Sequence, residues 1–386
     1  MKNLFYIAAV LFITLFCQCG GSKEDKEKRI KDSIAALPKK LAYDTLSTAT
    51  ANFIGGMDWV NDTLFKNERK SEYFLNHLKF VSETWPTVES KHIGPVQKWI
   101  KEKQIILPQD SGTLFYPFSG PDFLYGNVFY PNCKNYIMFG LERLGSIPDF
   151  KKMDPKDVAS YFETIQKSLG YSNKVGYFVT EYMGSDFAKK YVNGVTHLML
   201  YFMARTGHKI ISYEHISLND DGTATTDDES SSSENIKGLK VVFTDSTQLK
   251  AQTLYYFSVD ASDGNLSKKT GLTNFVKKFD KKYAYLKAAS YILFDHNFSI
   301  IKNTILSQCD KIVQDDTGIR FNDFDRSVFD VNVWGTYTGV IKLIPHGYQP
   351  DLRKALDTMK VKEELPFRIS YNAWHKEGII LYAKRK

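Results

Sequence analysis

The sequence predicts an α/β fold: a mixed central sheet with flanking helices, opened by a βαβ unit and preceded by a small helical segment. Two observations predict it. From residue 105 onward, short apolar runs alternate with segments of helical periodicity. Between Leu114 and Glu142, an apolar run reaches Ser119-Gly120-Pro121-Asp122, a helical stretch follows, and a second apolar run ends on an acid. That outline is a Rossmann-like βαβ start.

The elements follow in chain order. Residues 44–104 form a helical N-terminal segment. Leu64, Phe65, Tyr73, Phe74, Leu75, Leu78 and Val81 recur at steps of three and four, predicting a helix over 64–81. A second helix over 90–103 has Pro95 in its first turn and Val96, Trp99 and Ile100 on one face. The α/β body spans 105–386. Its predicted strands are 114–118, 135–141, 174–181, 209–217, 238–244 and 253–259. Helices lie between them at 121–129, 155–169 and 186–205, with Ser119 and Asp154 placed to cap the first two. Residues 218–237 are acidic, serine-rich and poor in large apolar groups, which predicts a mobile loop. A helix pair over 283–294 and 298–309, a strand over 333–343 and a terminal hairpin of 366–371 with 378–383 complete the body.

The chain begins Met1-Lys2-Asn3, and Leu4 to Phe16 then carry only Thr14 as a polar residue. This run is short of the roughly 20 residues that span a bilayer as a helix, and fits the apolar region of an export signal. Cys17 and Cys19 follow, then Gly, Ser and charge. An apolar segment ending on cysteine before a polar tether is similar to a bacterial lipoprotein signal, in which the cysteine is acylated and becomes the new N-terminus. Residues 1–18 are then the signal peptide, Cys19 the lipid attachment, with Cys17 the alternative, and 19–43 a flexible tether. A small residue normally precedes the acylated cysteine; Phe16 and Gln18 stand there instead. A cleaved secretory signal without lipid, or an uncleaved anchor, is the other reading. The expected location is the cell envelope, most naturally the outer membrane, with palmitate-type acyl chains as the membrane partner.

Net charge is +7, from 51 Lys and Arg against 44 Asp and Glu, with the two signs interleaved. No basic stripe follows a phosphate backbone, so nucleic acid is not an expected partner. Outside the signal, only Cys133 and Cys309 remain, and CxxC and HExxH are absent; no metal centre is expected. The 27 Phe, 23 Tyr and 5 Trp supply aromatic surface for a ligand or a protein partner.

The chemistry-bearing positions each have a bland reading. Glu142 lies 22 residues past Gly120, near the spacing of a ribose-binding acid. Yet the turn holds a single glycine, and Pro121 removes an amide that would face a phosphate. Dinucleotides and S-adenosylmethionine are cytosolic, so an exported chain rarely meets them, and no cofactor is expected. Asp110-Ser111-Gly112 and Asp316-Thr317-Gly318 match the turns of aspartic proteases, but that fold is nearly all strand. Asp315, Asp316, Asp323 and Asp325, like Asp260 and Asp263, read as acidic turns before they read as cation ligands. His208 and Glu214 on one predicted strand stand about 20 Å apart, too far to pair. G-x-S-x-G is absent.

FYPFSGPDFLYGNVFYP, FGLERLGSIPD, ASYILFDHNFSIIKNTIL and IVQDDTGIRF together resemble uncharacterised lipoproteins of Bacteroidetes, from about Leu107 to the C-terminus. The resemblance implies export and places Tyr116–Asp122, Glu142 and Asp315–Gly318 in the family's pattern. It carries over no activity. The sequence therefore points to an envelope lipoprotein acting as a binding or interaction module through an aromatic-rich cleft. The alternative is an exported hydrolase using carboxylates. Either way the candidate cleft is Ser119, Gly120, Asp122, Glu142, Asp315 and Asp316. A third possibility is a nucleotide fold reused as scaffold, its crevice filled by Phe118, Phe123 or Tyr125.

Overall fold

Strand order decides this architecture, and it is read here from a computed structural model that describes residues 39–57, 63–106, 110–175, 191–227, 235–337, 339, 344, 347–359, 363–369 and 378–386. The elements below all belong to the unit Ala42–Lys386; of the other unit, Met1–Leu41, only residues 39–41 are described. The leader, Cys17, Cys19 and nearly all the tether thus lie outside the described residues.

The elements are α1 (Thr45–Ile54), α2 (Glu72–Val88), α3 (Gly94–Lys103), β1 (Thr113–Tyr116), α4 (Phe123–Phe129), β2 (Asn135–Gly140), α5 (Pro155–Val175), α6 (Thr196–Arg205), β3 (Lys209–Leu218), β4 (Ala224–Thr226), β5 (Ile236–Thr244) and β6 (Ala251–Ser258). After them come α7 (Asp263–Leu266), α8 (Gly271–Lys277), β7 (Lys282–Leu286), α9 (Ser299–Gln308), β8 (Cys309–Gln314), β9 (Phe329–Gly335), α10 (Pro350–Thr358) and β10 (Ile379–Arg385).

One 10-stranded sheet runs in the order β4-β3-β5-β6-β2-β1-β7-β8-β10-β9. Its centre, β6-β2-β1-β7-β8, is parallel throughout. Numbered among themselves, these five strands read 3-2-1-4-5, the doubly wound order of nucleotide-binding domains. β10 lies antiparallel between β8 and β9. On the other side, β5, β3 and β4 extend the sheet with antiparallel pairings, β3 lying between β5 and the short edge strand β4, in a segment inserted between α6 and β6.

Alternation along the central strands feeds two cores. Leu114, Tyr116, Tyr136, Met138, Tyr283, Tyr285 and Val313 face the helices α1 to α6. Phe115, Ile137, Phe139, Ala284, Leu286 and Ile312 face α8 and α9. The crossovers from β1 to β2 and on to β6 use the first face, and those from β6 to β7 to β8 use the second. A parallel sheet must be covered on both faces, which explains why its strands read as unbroken apolar runs. Cys133 sits in the first core and Cys309 in the second, as free buried thiols on opposite faces.

The structure corrects several sequence expectations. Residues 283–286 are not helical: they form most of β7, at the centre of the sheet. Its YAYL pattern is buried on both faces, so helix and strand are indistinguishable by period. Cys309, expected at a helix end, and residues 310–314, assigned to no element, together form the central strand β8. The first predicted helix starts at Glu72, not 64, because Ser71 caps it through the Phe74 amide. α5 runs past Leu169 through Val175, so the strand expected from 174 begins inside a helix; residues 176–181 lie outside the described residues. Residues 191–195 precede α6 rather than belonging to it. Within 218–237, Ala224–Thr226 pairs with β3. Residues 366–369 are not a strand; β10 pairs with β8 and β9 instead. Of 333–343, the residues to Gly335 are strand, and most of the rest lie outside the described residues.

Gly112 marks where the chain enters β1. Its carbonyl accepts from the Lys134 amide at 2.9 Å, and a Cβ built there would overlap the Lys281 carbonyl. Gly112→Ala is expected to cost about 1–3 kcal/mol, the range of overpacking in a dense interior, read as a lowered urea midpoint with unchanged m-value.

Candidate functional site

In a doubly wound sheet the ligand crevice opens at the carboxyl ends of the strands where the winding reverses. Here that point lies between β1 and β7, whose following loops leave on opposite faces. The loop after β1 carries Ser119, Gly120 and Asp122; the loop after β7 carries Lys287; the turn after β8 carries Asp315 and Asp316.

Two left-handed corners aim these loops. Phe118 has φ of 56° and Gly120 has φ of 51°, so the chain reverses sharply after β1. Ser119 is held there by its amide, which donates to Phe139 O at 3.0 Å. On the far side, Ala288 has φ of 54°. Its amide donates to Asp315 Oδ2 at 3.1 Å, tying the β7 loop to the β8 turn.

Asp122, not Ser119, caps α4, its Oδ1 accepting from the Tyr125 amide at 3.2 Å. Its Oδ2 accepts from Tyr116 Oη at 2.8 Å and from Lys287 Nζ at 2.6 Å. Lys287 also lies over the Tyr125 ring, 3.5 Å from the centroid. Asp122 is 4% exposed and Lys287 3%. This is an ion pair across the switch point, inside the protein.

Burial draws the Lys287 ammonium below the usual lysine range, opposed by the charges of Asp122 and Asp315. Burial raises the Asp315 carboxyl, opposed by hydrogen bonds from the Thr317 hydroxyl and amide and the Ala288 amide. Tyr116 is raised first by burial and then by the charge of Asp122. Burial and the fixed donors thus pull Asp315 in opposite directions, and the Lys287–Asp122 ion pair lies beside it in the crevice.

Asp316 is buried beside Asp315, and its carbonyl accepts from Gln349 Nε2 at 2.8 Å. The Asp-Thr-Gly turn wraps the Gln314 side chain, which bonds Ile319 through both backbone groups, and a Cβ at Gly318 would overlap it. The protease match fails on topology. Asp110 stands before β1 and pairs with Lys311, whereas Asp316 stands after β8. In a parallel pair of strands, those are opposite ends of the sheet. Glu142, beyond β2, accepts from Tyr256 Oη at 3.1 Å and is only partly buried. Asp122 and Asp315 therefore meet the β7 loop at the switch point, Ser119 bonds back to β2, Asp316 bonds Gln349, and Glu142 stays on the β2–β6 side. Asp263 caps α9 by accepting from the Ser299 and Ile300 amides at 3.1 and 2.9 Å. Among the described residues, no group of three His, Cys, Asp or Glu side chains is placed to hold a metal ion.

The crevice is filled from within. Tyr125, Lys287 and Asp122 occupy it. Of the other two candidate plugs, Phe118 packs on Phe139 and Phe298, and Phe123 packs on Tyr136 and Phe243. A cavity of about 10 Å³ remains, lined by Asp122, Tyr125, His92, Ser172, Asn173 and neighbouring apolar groups. That is room for about one water. His92 guards its outer side, its Nδ1 lying 3.1 Å from Tyr125 Oη.

Sequence reasoning missed Lys287, because YLKAASYILF was taken for a helix. The signal was a lone cation inside an apolar run, which marks a buried charge once the run is a central strand. No protein-family model matches the chain, and a search of curated proteins gave no significant match.

Proposed function

We propose that this chain is a lipid-anchored protein of the cell envelope whose α/β body serves as a binding or interaction module rather than as a nucleotide enzyme. One observation carries the second half of this reading. The crevice where such a sheet would seat a nucleotide holds the chain's own Asp122–Lys287 pair at 2.6 Å, under the Tyr125 ring. A ligand of several hundred Å³ has no room beside a cavity of about 10 Å³. Glu142, the ribose-binding candidate, is engaged by Tyr256. The first half rests on the apolar leader ending on Cys17 and Cys19 and the polar tether behind it. Among the described residues no helix is long and apolar enough to cross a membrane.

Two measurements test it. Intact mass of native protein extracted from membranes is expected to show loss of residues 1–18 and an acylated Cys19, with Cys19→Ser abolishing the acyl mass. Recovery of unprocessed chain in the soluble fraction overturns the anchor. ATP, NAD and S-adenosylmethionine are expected to leave the melting temperature unchanged; a saturable rise with any of them overturns the closed crevice.

The second reading is an exported hydrolase-type enzyme. It is favoured by the opposed shifts of Lys287 and Asp315 at the strand ends, the pattern of a separated acid and base. Hydrolysis of a model ester or phosphoester that Asp122→Asn abolishes, with folding intact, would replace the first reading by this one.

A further inference from the structure

The crevice holds buried N–H and O–H groups that, among the described residues, lack acceptors. A lysine ammonium carries three N–H groups, and among the described residues Lys287 Nζ meets one acceptor, Asp122 Oδ2. Tyr285, 0% exposed, has its hydroxyl raised first by burial and then by nearby groups that include Asp122 and Asp315, yet among the described residues its Oη has no hydrogen-bond partner. Asn173 lines the same small cavity as Asp122, and among the described residues its Nδ2 has none either. Native interiors leave few such groups, since each costs about 1–3 kcal/mol. Left-handed, non-glycine corners at Phe118 and Ala288 flank this spot on both sides. Strain of that kind gathers at ligand clamps and switch regions.

We propose that Lys287 is the binding centre for a small anion, a carboxylate or a phosphate monoester, whose place Asp122 takes in the closed form. This deepens the reading of a self-filled crevice and rests on it. The missing acceptor oxygens are what an anion brings: one for a second N–H of Lys287, others for Tyr285 and Asn173. The cavity as it stands accepts no such group, so binding requires the Asp122 carboxylate to leave Lys287. The Phe118–Gly120 corner is the segment that moves. The internal carboxylate competes with the ligand, so the apparent affinity of the native chain is its intrinsic affinity reduced by the small open fraction.

The test uses the purified chain, with acetate and inorganic phosphate as separate probes at constant ionic strength set by NaCl. Asp122→Asn keeps a capping side chain and removes the competing charge. It is expected to show a saturable rise in melting temperature with one of the two anions, at an affinity at least about tenfold tighter than the native chain. The probe that wins distinguishes a carboxylate ligand from a phosphate one. The double variant Asp122→Asn with Lys287→Met is expected to lose the effect. If Asp122→Asn does not fold in chloride, recovery of folded protein in acetate or phosphate at the same ionic strength supports the proposal, and no recovery overturns it. No saturable effect in Asp122→Asn, or an equal effect in the double variant, also overturns it. Those failures leave the closed crevice standing, whereas nucleotide binding by the native chain removes both.

Discussion

Replacing Lys287 by methionine is expected to lower the stability of the fold by about 3–5 kcal/mol, the cost of leaving one member of a buried ion pair without its partner. Asp122 would then keep a hydrogen bond from Tyr116 and the helix-capping bond from the Tyr125 amide, but its charge would sit uncompensated at 4% exposure. Asp122→Ala should cost at least as much. It strands the ammonium and also removes the cap of α4, which adds about 1 kcal/mol. The pair should be strongly coupled. Changing both residues, Lys287 to methionine and Asp122 to alanine, is expected to recover a kilocalorie or two relative to the summed single costs, within the range of about 0.5–3 kcal/mol seen for contacting residues. Urea unfolding of the four proteins completes the cycle. Additive losses would mean that the ion pair contributes nothing as a pair, and the switch point would need another explanation.

Acid is the second large effect expected. His77, His197 and His208 are buried and neutral, and burial lowers them to about 4, 3 and 4. Their hydrogen bonds suit neutral rings. His77 Nε2 lies 2.8 Å from Ile54 O with Nδ1 near Gln166 Nε2, and His208 Nδ1 lies 2.8 Å from Thr206 Oγ1. In the unfolded chain each histidine binds its proton near 6.5. Below that pH the unfolded state holds more protons than the fold, so stability falls as pH falls. The contribution is whole above about 6.5 and is lost progressively down to about 4 for His77 and His208 and about 3 for His197. Each histidine removes about 1.4 kcal/mol per pH unit in that window. Three together remove about 6 kcal/mol by pH 5, comparable to the whole stability of many domains. Asp315 works in the opposite sense, because a raised carboxyl makes the fold hold a proton that the unfolded chain has released. Its help grows as pH falls through the raised folded value toward the ordinary carboxylate range, and it offsets part of any histidine loss that it overlaps. His92 and His215 are lowered by burial as well and add to the same loss, so unfolding free energy measured from pH 8 to 5 should decline with a slope of about three protons or more, and His197→Gln should remove about one of them. A flat profile between pH 7 and 5 would show that these rings accept protons inside the fold.

Much of the architecture was legible from periodicity. The strands near 114, 135, 209, 238 and 253 stand within a few residues of β1, β2, β3, β5 and β6, and the helices at 121–129 and 155–169 became α4 and a longer α5. What failed was the middle of the sheet. β7 and β8 are covered on both faces, so their residues carry no two-fold alternation to distinguish a short strand from a helix. Since the switch point lies beside β7, losing that strand also lost Lys287. The carboxylates were easier to find. Asp122, Asp315 and Asp316 stand in Gly-containing turns, where an acid in an otherwise apolar stretch is conspicuous. Glu142 looked like part of the same group because spacing along the chain was the guide. Spacing gives the distance to the end of β2, but not which neighbour will claim the side chain there.

By itself, then, the order of residues determined the class of fold, the βαβ opening and the set of acids near strand ends, because these follow from local patterns of apolar and polar groups. The tertiary structure alone decided that β1 and β7 lie side by side, that Asp122 meets a lysine 165 positions away, and that the pair is sealed beneath Tyr125. The physical reason is that strand order is set by which faces can be covered together, and a charge 165 residues distant leaves no periodic trace in the segment it will neutralise.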